Sequence, residues 1–208
     1  MKEDANSELN LGASRPGATP PNYFPHRCGS WGIKRKKNKK ETYEFLKKEN
    51  IDFEVAEHRA VYNMAELAGV EMPYPECAAK NLFVRDDKRR DYYLITVKGD
   101  KRVDLKAFRR DMGTRPLTFA SAEELFEILG LTTGAVTPLG LLCDDSHRVT
   151  FYIDSEFCDA SGIIGVHPND NTATVWLKTA DLLRIIGEHG NTVHIVGIHD
   201  SRKIAGDE

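Results

Sequence analysis

Apolar positions begin to recur with a definite period only from about residue 41. Tyr43, Phe45, Leu46 and Ile51 fall at helical spacing and predict a helix that stops near Asn50. Phe53 and Val55 then alternate with charged residues, the mark of a short half-buried strand. Met64, Leu67 and Ala68 predict a brief helix, halted by Gly69 and the Pro73/Pro75 pair. Leu82-Phe83-Val84 and residues 92–97 read as two strands, joined across the charged turn 85–91 as a hairpin. Asp104 opens a helix through Phe108, and Leu117 and Phe119 make a brief extended piece. Ser121-Ala122-Glu123-Glu124 is a capping box, which starts a helix running through Leu125, Phe126, Ile128 and Leu129 to Gly130. Residues 133–140 form a turn-rich loop. Strands are predicted over 149–154, 162–166 and 173–177, a last long helix from Thr179 or Asp181, and a closing strand over 192–198.

Strands that come in groups, without a regular βαβ alternation, predict an α+β fold. Its sheet is mixed, largely antiparallel and curved, with helices packed outside. Residues 1–40 hold prolines, glycines and a terminal basic run with no periodicity, and predict a disordered tail. Residues 41–200 form the domain and 201–208 a polar C-terminal tail. The composition, 40% hydrophobic with a formal net charge of −3, excludes wholesale disorder. No stretch approaches the roughly 18–20 apolar residues of a membrane span. Residues 1–30 hold no apolar secretory core, so the expected compartment is the cytoplasm. Cys28, Cys77, Cys143 and Cys158 make no C-x-x-C pair and read as reduced thiols.

Charge changes this picture in one place. Residues 80–115 carry 12 basic and 6 acidic groups, inside a domain that is otherwise acidic. Such a block either offers a face to phosphates or is solvated charge on strands and turns. The basic run 34–40 has the same two readings: an arm touching RNA, or a lead-in to the first helix. P-loop and G-x-G-x-x-G fingerprints are missing from the sequence, against nucleotide hydrolysis or dinucleotide binding. His189, His194 and His199 are spaced by five, which suits neither a helix face nor a strand face for zinc.

Three pieces are candidates for chemistry. Lys80-Asn81 stands where small residues enter an apolar strand, either as an exposed edge charge or as a cation aimed into a cleft. His167 precedes Pro168, which holds it in extended backbone before the polar turn Asn169-Asp170-Asn171. There it orients a substrate amine or carbonyl or passes protons near neutral pH, or is simply a turn histidine bonded to its neighbours. Residues 134–140, with Gly134 and Gly140, allow close backbone approach to an anion or form an ordinary surface loop. Neither G-x-S-x-G nor a Cys-His arrangement is present, which favours attack by water on an electrostatically stabilised ester.

At these residues the chain resembles the YbaK-like family, also described as the prolyl-tRNA synthetase-associated editing domain. The resemblance rests on His58-Arg59-Ala60-Val61-Tyr62, Lys80-Asn81-Leu82-Phe83-Val84, Asp91-Tyr92-Tyr93-Leu94 and Leu117-Thr118-Phe119-Ala120-Ser121. It continues through Leu129-Gly130, the 134–140 loop and Val166-His167-Pro168-Asn169, and spans about residues 40–198. It implies a barrel-like sheet and trans-editing, the removal of a wrong amino acid from a finished tRNA. Free-standing members of this kind look like alanyl-tRNA(Pro) deacylases. A pocket built for proline excludes the smaller alanine poorly, so a second hydrolytic site is needed. By resemblance the catalytic lysine is Lys80, the neighbouring amide Asn81 and the specificity-setting histidine His167. Gly134, Val136, Thr137 and Pro138 would flank the aminoacyl ester, Tyr62 would line the entrance, and Gly165, Pro168 and Asn169 would also bind the substrate. Arg85, Lys88, Arg89, Arg90, Lys98, Lys101 and Arg102 would meet the acceptor-stem backbone. The expected partner is mischarged tRNA(Pro), with prolyl-tRNA synthetase as a second, and neither membrane nor DNA; no metal or cofactor is expected. Two alternatives stand beside this reading: a deacylase for another ester such as cysteinyl-tRNA(Pro), and a non-catalytic module that senses proline or aminoacyl-tRNA.

Overall fold

The computed structural model describes residues 37–60, 72–159 and 161–202. Most of the expected tail, the helix expected around Met64 and Leu67, Tyr62 and the end of the C-terminal segment lie outside the described residues. No helix among the described residues is long and apolar enough to cross a membrane.

Local sequence signals start and stop the helices α1 (Lys39–Lys48), α2 (Leu105–Met112), α3 (Ala122–Leu129) and α4 (Thr179–His189). Asn38 caps α1 with a reciprocal bond from Glu41, and Ser121 and Glu124 close the expected capping box on α3. Each such cap contributes about 1 kcal/mol. Asp104 accepts from Lys106 N and Ala107 N to start α2, and Gly113, at φ 66°, ends it. The loop expected over 133–140 tightens at its end into a short 3-10 helix, Pro138–Cys143. Thr137 caps that turn and Pro138 starts it, since proline is preset for a first helical position.

The strands are β1 (Phe53–Glu57), β2 (Ala79–Asp86), β3 (Tyr92–Lys98), β4 (Leu117–Phe119), β5 (Val149–Asp154), β6 (Ile163–Val166), β7 (Ala173–Lys178) and β8 (Val193–Val196). They make a three-stranded sheet in the order β1-β7-β6 and a five-stranded sheet in the order β4-β2-β3-β5-β8. Pairing is antiparallel except for β3 with β5 and β5 with β8. The α+β class and the mixed, largely antiparallel pairing are therefore as expected. The barrel-like closure is not reached among the described strands. Two sheets instead meet at one bridge, Ala78 to Gly165.

Register decides what each face of β2 does. Lys80 pairs with Val97, Asn81 with Thr96, Leu82 with Ile95 and Phe83 with Leu94. Paired residues share a face. Leu82, Ile95 and Val97 accordingly join Phe108 of α2 in a smaller core, whereas Phe83 and Leu94 enter the large core with Phe151, Ile164, Val175 and Leu182. Lys80 and Asn81 thus leave β2 on opposite faces of the sheet.

Candidate active site

Asn81 is the first residue that the fold commits. Its Nδ2 donates to the Val136 carbonyl at 3.0 Å, and its Oδ1 accepts from the Thr96 hydroxyl at 2.7 Å. Thr96 is fully buried, so the amide is held from behind and clamps the 134–140 loop to the sheet. Gly140 lets that loop close down: a Cβ there would lie 2.5 Å from Leu131 Cδ1. Thr137 then donates its hydroxyl to the His167 carbonyl at 2.7 Å. Asn81, Val136, Thr137 and His167 are therefore joined by an unbroken chain of bonds through a single loop. Pro138 and Gly165 are buried beside it. At Gly165 the Trp176 ring occupies the room of a side chain, with Cζ3 only 2.2 Å from where a Cβ would stand.

The His167 ring has a definite tautomer. Nδ1 lies 2.9 Å from the Ala173 carbonyl, which only accepts, so Nδ1 carries the proton and Nε2 of the neutral ring keeps its lone pair. Burial pushes the His167 pKa below its ordinary value, and nearby His58 adds to this; the Ala173 bond and Asp170 oppose it. A neutral acceptor is thereby held ready at near-neutral pH. The turn after it is locked: Pro168 is buried, Asn169 takes φ 60°, and its Nδ2 donates to the Lys37 carbonyl at 3.0 Å. Asn169 thus ties the turn to the segment leading into α1, while its buried Oδ1 has no partner among the described residues.

His58, to which the sequence motifs give no chemical role, has its ring centroid 6.0 Å from that of His167, edge to face. His58 Nδ1 sits 2.8 Å from the Arg59 carbonyl and must donate to it; Nε2 of the neutral ring then accepts from the Thr174 hydroxyl at 3.1 Å. The clue in the sequence is alternation. Ala56 pairs with Thr174, so carrying the β1 period two residues further brings His58 onto the same face.

Lys80 stands apart from this group. Its Nζ donates to the Lys101 carbonyl at 3.0 Å, and it is half-buried with no carboxylate partner among the described residues. The other basic residues divide. Lys88, Arg89, Arg90 and Arg102 are exposed, and Lys98 is half-buried. Arg85 is drawn onto Glu124 at 3.0 Å and is only 16% exposed. Lys101 departs from the expectation of an RNA contact. It is 6% exposed, with Nζ bonded to Asp154 at 2.5 Å, Glu156 at 2.7 Å and the Ile198 carbonyl at 3.0 Å. Those three acceptors use all three ammonium N–H groups and leave none for a phosphate. Burial alone would lower the Lys101 pKa, but the two carboxylates hold it above its ordinary value. Among the described residues no group of three or more His, Cys, Asp or Glu is placed to hold a metal.

Comparison with known proteins gives this arrangement a context. Residues 58–185 match the family model of the aminoacyl-tRNA editing domain. The prolyl-tRNA editing protein ProX of Acetoanaerobium sticklandii is 39% identical over 142 residues, which is 68% of this chain and 86% of that protein. The prolyl-tRNA synthetase associated domain-containing protein 1 of Danio rerio is 36% identical over 155 residues, 74% of this chain and 84% of that protein. A solved structure described as a candidate trans-editing enzyme for prolyl-tRNA synthetase superposes with a TM-score of 0.59 at 21% identity, covering 78% of this chain and 98% of its own. That last likeness concerns the fold alone. With the family model spanning both imidazoles, the Asn81 clamp and the loop between them, the chain belongs to the aminoacyl-tRNA editing domain family.

Proposed function

We propose that the chain removes alanine from mischarged tRNA(Pro) by hydrolysing the ester to the terminal ribose. Membership of the editing family makes the chemistry an aminoacyl-tRNA deacylation. The names of the curated relatives point to prolyl-tRNA as the RNA. Water attacks the ester carbonyl carbon, the acyl C–O bond breaks, and the ribose oxygen leaves with a proton. Free alanine and intact tRNA are the products. An aminoacyl ester is already activated, so positioning and charge stabilisation carry much of the rate.

The observation that carries the reading is the neutral His167 ring, whose Nδ1 is spent on Ala173. Its Nε2 accepts an N–H of the substrate's α-ammonium and sets how far the amino acid enters. Asn81 has one N–H on Val136 and a second left for the ester carbonyl, beside the backbone of the loop that it clamps. Lys80, on the other face of β2, has two N–H groups beyond the one on Lys101 O, and these meet the terminal phosphate or ribose. Exposed Lys88, Arg89, Arg90 and Arg102 supply acceptor-stem contacts.

The test is a deacylation panel on tRNA(Pro) carrying alanine, cysteine, serine or proline. Alanine should be released fastest and proline spared. Faster release of cysteine would move the specificity to that ester, and release of none of the four would leave a binding module.

A further inference from the structure

We infer that Lys101 is a positioning residue for the reaction, aiming Lys80 through its own backbone carbonyl; this rests on the deacylase reading above. The buried ammonium and the carbonyl of the same residue point two ways. The ammonium is held by Asp154 at the end of β5, by Glu156 just beyond it and by the Ile198 carbonyl. The carbonyl accepts from Lys80 Nζ at 3.0 Å. Whatever fixes the Lys101 side chain therefore fixes the one described acceptor that orients the Lys80 ammonium.

The segment around it is pinned from several sides, as a positioning device requires. Gly99 N donates to the Ala78 carbonyl, two residues before Lys80. Arg102 N donates to Asp200 Oδ1, Ser201 N donates to the Arg102 carbonyl, and Val103 bridges to Asp200. The turn after β3 is thus stitched to the start of β2 on one side and to residues 198–201 on the other. A lysine chain has four rotatable bonds and loses much freedom when held. A fixed acceptor near the ammonium reduces the search, and a misplacement of about 1 Å at a reacting group can cost roughly 10²-fold in rate. A surface cation needs neither carboxylate, so the burial of Lys101 with Asp154, and Glu156 drawn onto the same ammonium, are accounted for by placement rather than by RNA contact.

The test uses the full chain and alanyl-tRNA(Pro), with the single-turnover rate at saturating enzyme read separately from the enzyme concentration that gives half of it. Lys101→Met should lower the saturating rate by about 10²-fold with little change in half-saturation. In a Lys80→Arg background, which keeps a cation and a measurable rate but not the ammonium that Lys101 aims, the same change should have a much smaller effect. An equal slowing of both backgrounds would mark a general structural role and overturn the inference, leaving the deacylase reading in place. Full activity of Lys80→Ala would instead overturn the reading itself. Where Lys101→Met does not fold, Glu156→Gln serves, because Glu156 is 42% exposed and the change takes away one of the two negative charges that hold the Lys101 ammonium. It should lower the saturating rate by a smaller factor, again only when Lys80 is present. A native rate in folded Glu156→Gln would then count against the inference.

Discussion

Two lysines twenty-one positions apart, one on β2 and one in the turn after β3, behave in opposite ways. Lys101 is 6% exposed and gives every ammonium N–H to an acceptor within the chain. Lys80 is half-buried, touches one carbonyl and has no carboxylate partner among the described residues. The contrast separates a cation whose bonds are spent within the chain from one that, on the proposed reading, is kept for a substrate. A lysine whose bonds are spent has nothing left to give a phosphate, and one without a counter-ion retains most of its charge for a ligand.

The largest expected effect sharpens that contrast directly. Lys80→Ala should abolish release of alanine from tRNA(Pro) while the melting temperature stays close to native. Asp154→Ala should instead lower stability, leaving a buried ammonium without its nearest carboxylate. Breaking such a pair from one side costs about 3–5 kcal/mol, to be read as a lowered urea midpoint. Equal stability of the two variants would erase the distinction.

The imidazole offers a third, smaller effect. His167 accepts from the substrate only when neutral, and its pKa lies below the ordinary value of about 6.5, chiefly because it is buried. The competent form therefore persists as pH falls to the ordinary value and is lost only below it. The acid limb of the rate profile should lie below 6.5, and it should vanish in His167→Ala along with most of the activity. An acid limb above that value would show that the ring protonates as freely as in solution. Least in size, neutralising exposed Lys88 and Arg90 together should make the salt dependence of tRNA binding shallower by about 2 in logarithmic slope. An unchanged slope would remove them from the RNA face.

Local signals were the legible part of the fold. The Ser121/Glu124 capping box, the Asp104 start of α2 and the hairpin of β2 and β3 each depend on neighbours less than twenty residues away. The division into two sheets depends on pairs such as β1 with β7, more than a hundred residues apart, and alternation along one strand does not name its partner. Lys80, Asn81 and His167 stood out as residue types in suggestive places, and their bonds give two of them a shared loop. Lys101 is not told from the RNA-facing cations by sequence, because a count of charges cannot separate a buried ion pair from an exposed side chain. His58 escaped for a related reason: its partner Thr174 is 116 residues away and carries no signal of its own.

The central claim is turnover of an acyl ester, and its most direct measure is the release of labelled alanine from alanyl-tRNA(Pro) at an enzyme concentration far below that of the substrate. The account predicts many equivalents of alanine per protein chain, with none above the uncatalysed background for Lys80→Ala. A plateau at one equivalent, or release that survives the loss of Lys80, would contradict it.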